Sequence, residues 1–132
     1  MANGFKASRK KIIYVDDVNA SLKALKKALK AHYEIFIADS YVRMNKILEK
    51  IRPDLILLDI NMPETNGYEI IKTLKNDKRH CDIPVIFVTS IDDKVSVEEG
   101  LKLGAAAYVI KPFNALKLVE AINALVYPKD SA

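Results

Sequence analysis

The chain alternates two kinds of apolar patterning. Short unbroken runs of branched residues suit strands covered on both faces, and between them apolar residues recur every three or four positions, as on helices with one buried side. The first run is Lys11 to Val15, with Ile12, Ile13, Tyr14 and Val15 apolar, and it stops on Asp16-Asp17. Leu22, Leu25, Ala28 and Leu29 then fall at helical spacing, with Asn19 as the expected cap. Ile35 to Ala38 forms a second run, and Ser40 is expected to cap a helix carrying Met44, Ile47, Leu48 and Ile51, closed by Pro53. The third run, Leu55-Ile56-Leu57-Leu58, ends on Asp59; Pro63 cannot extend a strand, and Gly67 opens a helix to about Asn76 that buries Tyr68, Ile71 and Leu74.

A charged loop from Asn76 to Asp82 leads to a fourth run, Pro84 to Ser90, which ends on two hydroxyls. Asp92 or Asp93 is expected to cap a helix carrying Val95, Val97 and Leu101, with Gly104 as its stop. Ala107 to Ile110 is the fifth run and ends on Lys111-Pro112; a last helix from about Asn114 carries Leu118, Ile122, Leu125 and Val126. Five strands alternating with five helices predict an α/β fold, a doubly wound parallel sheet with helices on both faces. Residues 10–127 are expected to form one domain, with 1–9 as a flexible lead-in and 128–132 as a C-terminal tail.

Composition narrows this picture. The chain has 132 residues, 50% hydrophobic and 29% charged, which suits one domain with a real core. A single cysteine, Cys81, rules out an internal disulfide, and no apolar run approaches the ~18 residues of a membrane span. The expected compartment is the cytoplasm. The formal charge of +4 raises nucleic-acid binding, but Lys23, Lys26, Lys27 and Lys30 lie between Leu22, Leu25 and Leu29, where the solvated face of an amphipathic helix belongs. No direct nucleic-acid contact is expected.

In a parallel sheet every strand carries its carboxyl end to one edge, so Asp16, Asp17, Asp59, Thr89 and Lys111 should be neighbours. Three carboxylates within ~4 Å would repel by up to about 4 kcal/mol per pair at an effective dielectric of 20. Lys111 supplies one compensating charge, and a hard divalent ion bound through oxygens supplies the rest, with magnesium preferred. Magnesium, a lysine, a hydroxyl and a spare carboxylate are together what phosphoryl transfer requires.

The same residues resemble the receiver domain of bacterial two-component response regulators. The likeness lies in an acidic pair after the first strand, Asp-x-x-Met-Pro-x-x-x-Gly after the third, Thr-Ser after the fourth and Lys-Pro after the fifth. The resemblance implies a flavodoxin-like strand order 2-1-3-4-5. It also implies that Asp59 accepts a phosphoryl group from a histidine kinase or histidine phosphotransfer protein. Asp17, Asp59 and the carbonyl of Asn61 would bind Mg2+, with Asp16 acting mainly through water. Thr89 would close on the phosphoryl oxygens, Lys111 would be the family's lysine with a cis bond to Pro112, and Tyr108 would turn inward as Thr89 moves. A downstream partner would then read the face of the fourth helix, fifth strand and fifth helix. By the same resemblance Asn61 and Ile91 flank the approach of hydrolytic water, and Asn66 stands where the family often has an acid.

On this reading the chain is a signalling switch that catalyses only its own phosphorylation and dephosphorylation. Two alternatives are a magnesium-dependent phosphatase with an aspartyl nucleophile and a receiver-like interaction module that takes no phosphate. The first would normally carry an acid two residues beyond the nucleophile, where this chain has Asn61. The acid, hydroxyl and lysine set speaks against the second.

Overall fold

The computed structural model describes residues 9–60, 62, 67–90 and 94–127, with side chains of the last segment from residue 97 onward. Five strands and five helices alternate: β1 Lys11–Val15, α1 Asn19–Leu29, β2 Glu34–Ala38, α2 Tyr41–Leu48, β3 Leu55–Asp59, α3 Gly67–Lys75, β4 Val85–Thr89, α4 Lys94–Lys102, β5 Ala107–Ile110 and α5 Ala115–Val126. The sheet is parallel throughout, in the order β2-β1-β3-β4-β5. This is the doubly wound arrangement the sequence predicts.

Both faces of the sheet are covered, and the strands divide their side chains between them by simple alternation. Ile12, Tyr14, Leu55, Leu57, Ile86 and Val88 pack with Leu22, Leu25 and Leu29 of α1 and Leu118, Ile122 and Val126 of α5. Ile13, Val15, Ile56, Leu58, Val85 and Phe87 pack with Met44 of α2 and Ile70, Ile71 and Leu74 of α3. Each fully buried aliphatic or aromatic side chain contributes about 1.5–3 kcal/mol. These two layers therefore fix the strand register, because a one-residue slip would exchange every side chain between them.

Several local expectations need correction. Asn19 does not cap α1: it is the first helical residue, Val18 holds the cap position, and no side chain caps there. Ser40 and Asn114 do cap, their side-chain oxygens accepting the N–H of Arg43 and Lys117 at 3.2 and 3.1 Å. Ala28 faces solvent, Tyr68 is half-buried, and Leu101 is exposed, so α4 meets the sheet otherwise than through its leucine. Among its described side chains the buried residue is Gly100, against the ring of Phe87. Gly104, with φ of 114°, ends that helix as expected. His80 has a side chain only 15% exposed and places Nδ1 3.2 Å from Asp77 Oδ2.

Candidate functional site

The carboxyl edge of the sheet is assembled by alternation. Asp16 continues the side of β1 that carries Ile12 and Tyr14, Asp59 the side of β3 that carries Leu55 and Leu57, and Lys111 the side of β5 that carries Ala107 and Val109. All three therefore lean toward the α1 and α5 layer. Backbone bonds extend the ladders just past the strand ends: Asp16 N–H donates to Ala38 O at 3.1 Å, Ile60 N–H to Val88 O at 3.3 Å, and Lys111 N–H to Thr89 O at 2.7 Å.

Carboxylate oxygens of Asp16, Asp17 and Asp59 lie within 4.8 Å of one another. Asp16 is fully buried, Asp59 is 6% exposed and Asp17 is open to solvent. At that separation and an effective dielectric of ~20, each pair of charges repels by about 3 kcal/mol, less for Asp17 where water screens it. Lys111 Nζ answers part of this charge, 2.6 Å from Asp16 Oδ2 and 3.6 Å from Asp59 Oδ2. Among the described residues three carboxylates face one ammonium, which leaves room for a divalent cation, and this all-oxygen donor set without His or Cys suits Mg2+ rather than Zn2+.

Asp16 is held from three sides. Its Oδ2 accepts the Tyr14 hydroxyl at 2.5 Å as well as Lys111, and its Oδ1 accepts the Val18 N–H at 2.9 Å. Burial alone would push this carboxyl up, but the hydrogen bonds from Lys111, Tyr14 and Val18 and the lysine's charge hold it below the usual carboxylate range. Burial, followed by the hydrogen bond and the charges of Asp16 and Asp59, drives the Tyr14 phenol well above its ordinary value, so it stays a donor. Tyr14 is the residue that sequence reasoning passed over as apolar. The available signal was a tyrosine in a strand covered on both faces, whose hydroxyl must find a partner, two residues before an acid on the same side.

Thr89 ends β4 with 1% exposure, beside the Lys111 backbone. Tyr108 pairs with Phe87 across the β4–β5 ladder but is 43% exposed, on the side of β5 opposite Ala107 and Val109. The Lys111–Pro112 bond is cis, as expected. Gly67 comes so close beneath the acid that a Cβ there would meet Ile60 Cα at 2.8 Å and Asp59 O at 2.9 Å, while its N–H donates to Ile60 O at 2.7 Å. Only glycine allows that approach. Asn61, Asn66 and Ile91 lie outside the described residues.

Comparison with known proteins agrees with this geometry. The sequence profile of the response regulator receiver domain matches residues 12–123. The phosphate regulon transcriptional regulatory protein PhoB of Pseudomonas aeruginosa is 35% identical over 118 residues, 89% of this chain and 52% of that protein. A chemotaxis protein CheY homolog of Campylobacter jejuni is 33% identical over 116 residues, 86% of this chain and 89% of that protein. The chain thus spans about half of the PhoB relative and nearly all of the CheY homolog. Among solved structures, the Vibrio cholerae chemotaxis protein CheY4 superposes with a TM-score of 0.84 at 26% identity, covering 89% of this chain and 99% of that one.

Proposed function

The chain belongs to the response regulator receiver domain family, and on that premise we propose that it is a phosphorylation-dependent switch of a two-component system, with Asp59 as the phosphoryl acceptor. The supporting observation is the meeting of Asp16, Asp17 and Asp59 with the Lys111 ammonium at one sheet edge. The donor is a phosphohistidine on a histidine kinase or histidine phosphotransfer protein. A carboxylate oxygen of Asp59 attacks phosphorus; the O–P bond forms as the P–N bond breaks, and the bonding pair returns to the imidazole.

Around this step Lys111 and Thr89 hold phosphoryl oxygens, the first by charge and the second by its hydroxyl. The carboxylates of Asp16, Asp17 and Asp59 and the carbonyl of Asn61 would hold Mg2+, which when bound offsets negative charge on the phosphoryl oxygens. The rim beside Lys111 is a groove lined by Ser21, Ala24 and Ala28 of α1 with Ser90 and Phe113, whose small residues leave space for a partner to approach.

Thr89 then draws toward the phosphoryl group and Tyr108 turns inward behind it, which alters the face formed by α4, β5 and α5. Exposed Leu101, Tyr108, Leu116 and Tyr127 lie on or at the end of those elements and suit an apolar partner surface. The domain turns over no separate substrate. Residues 10–127 carry the switch. No helix among the described residues is long and apolar enough to cross a membrane.

Intact-mass measurement after incubation with acetyl phosphate and magnesium tests the reading. The wild type should gain one phosphoryl group and Asp59→Asn none. A wild type that gains nothing, or an Asp59→Asn protein that gains as much, would overturn it.

A further inference from the structure

We propose that Tyr14 is a positioning residue of the acidic site: its buried hydroxyl keeps Asp16 hydrogen-bonded from within β1, so that Lys111 can leave Asp16 for the group that forms on Asp59. The inference rests on reading Asp59 as the phosphoryl acceptor. Two donors converge on Asp16 Oδ2, the Tyr14 hydroxyl at 2.5 Å and Lys111 Nζ at 2.6 Å, while Val18 N–H serves Oδ1. Lys111 stands a full ångström farther from Asp59 Oδ2, at 3.6 Å.

A phosphoryl group on Asp59 carries more charge than the carboxylate it replaces and draws the ammonium toward it. Were Lys111 the sole donor on Oδ2, its departure would strip a fully buried carboxylate oxygen bare, and that oxygen would hold the lysine back. With Tyr14 in place, Oδ2 keeps a donor throughout. Two donors on one oxygen also share its charge, so each is held less tightly than it would be alone. Tyr14 thereby loosens Lys111 before the reaction and stabilises Asp16 after it.

The competing explanation is packing, because the Tyr14 ring is fully buried in the layer with Ile12, Leu57 and Val88. Two variants separate the hydroxyl from the ring. Tyr14→Phe removes only the hydroxyl, and Tyr14→Leu removes both. In the full chain with saturating magnesium, the readouts are water exchange of the Lys111 ammonium by nitrogen-resolved NMR without donor, phosphoryl uptake from acetyl phosphate, and thermal melting.

In Tyr14→Phe the ammonium should exchange several-fold more slowly and phosphoryl uptake should slow roughly tenfold, the size of losing one charge-assisted hydrogen bond. Tyr14→Leu should lose uptake to the same degree and in addition melt lower. If Tyr14→Phe exchanges and reacts like the wild type and only Tyr14→Leu fails, Tyr14 is packing alone and the proposal is wrong. If the wild type takes no phosphoryl group, the acceptor reading falls by itself, and ammonium exchange still decides whether Tyr14 governs the hold on Lys111.

Discussion

The ring of Phe87 fills the space that a side chain on Gly100 would need: a Cβ there would meet Phe87 Cε2 at 2.5 Å and Cδ2 at 2.6 Å. The same ring stacks edge-on against Tyr68, with centroids 5.7 Å apart. One aromatic residue of β4 thus joins the start of α3 to α4, two residues before Thr89.

Gly100→Ala should therefore destabilise the fold even though alanine is the better helix former. The propensity gain is about 1 kcal/mol, and overpacking a filled site costs about 1–3 kcal/mol. Adding Phe87→Leu should recover part of the loss, because the smaller side chain vacates the space. Urea unfolding of the four proteins in a double-mutant cycle measures this; strictly additive losses would show that the two residues do not compete.

Magnesium should raise the melting temperature of the wild type, because among the described residues the carboxylates of Asp16, Asp17 and Asp59 outnumber the one lysine that faces them. At roughly 100 times its dissociation constant the gain is about 2.7 kcal/mol if only the folded state binds. Asp59→Asn should be more stable than the wild type without magnesium and respond less to it. A wild-type melting curve indifferent to magnesium would contradict the proposed ion site.

Thr89→Ala should still take up a phosphoryl group but transmit it poorly, because the covalent step and the conformational response use different residues. Phosphorylation should shift the NMR resonances of Tyr108 and α5 strongly in the wild type and weakly in Thr89→Ala. Equal shifts in both proteins would refute a coupling through the Thr89 hydroxyl.

Asp77 sets an acid-sensitive point far from the site. Its side chain accepts hydrogen bonds from the Arg79 side chain and backbone, which with the charges of Arg79 and His80 hold the carboxyl at about 2, below the ordinary 3.8. A lowered folded-state value means that the stabilisation is fully present above about pH 4 and is lost as the pH falls toward 2. Amide exchange in residues 77–83 should rise across that window in the wild type and show no such step in Asp77→Asn. A step of the same size in both would assign the opening to another group.

The strands were legible because each is an apolar run stopped by a polar residue, and the three central ones are buried on both faces, which leaves little else for such a run to do. The same rule brought Asp16, Asp59, Thr89 and Lys111 to one edge. Asn19 misled because its type suits a cap, whereas Asp16 at the strand end already takes the Val18 N–H from two residues upstream. Helix α4 was misread in its packing: the expected Leu101 is exposed, and among its described side chains the buried position is Gly100 under the Phe87 ring, a residue with no apolar side chain to mark it. Tyr14 was hidden for the opposite reason, since its ring satisfies the strand pattern while its hydroxyl reaches the site.

Asp16 and Lys111 touch across 95 residues of sequence, and that span divides the site in a way that can be cut. The three acids belong to the β2-β1-β3 half of the sheet, whereas Thr89 and Lys111 belong to β4 and β5, and the halves meet along the β3–β4 ladder. The connection between α3 and β4 runs through the turn at Asp77 to Asp82. A chain opened there would yield two fragments, one with the acceptor and its acidic neighbours, the other with the hydroxyl and the ammonium. Neither should take up a phosphoryl group alone. Mixed, they should recover uptake only as β4 zips onto β3, which would make this domain a two-piece reporter that signals fragment assembly by a covalent mark on Asp59.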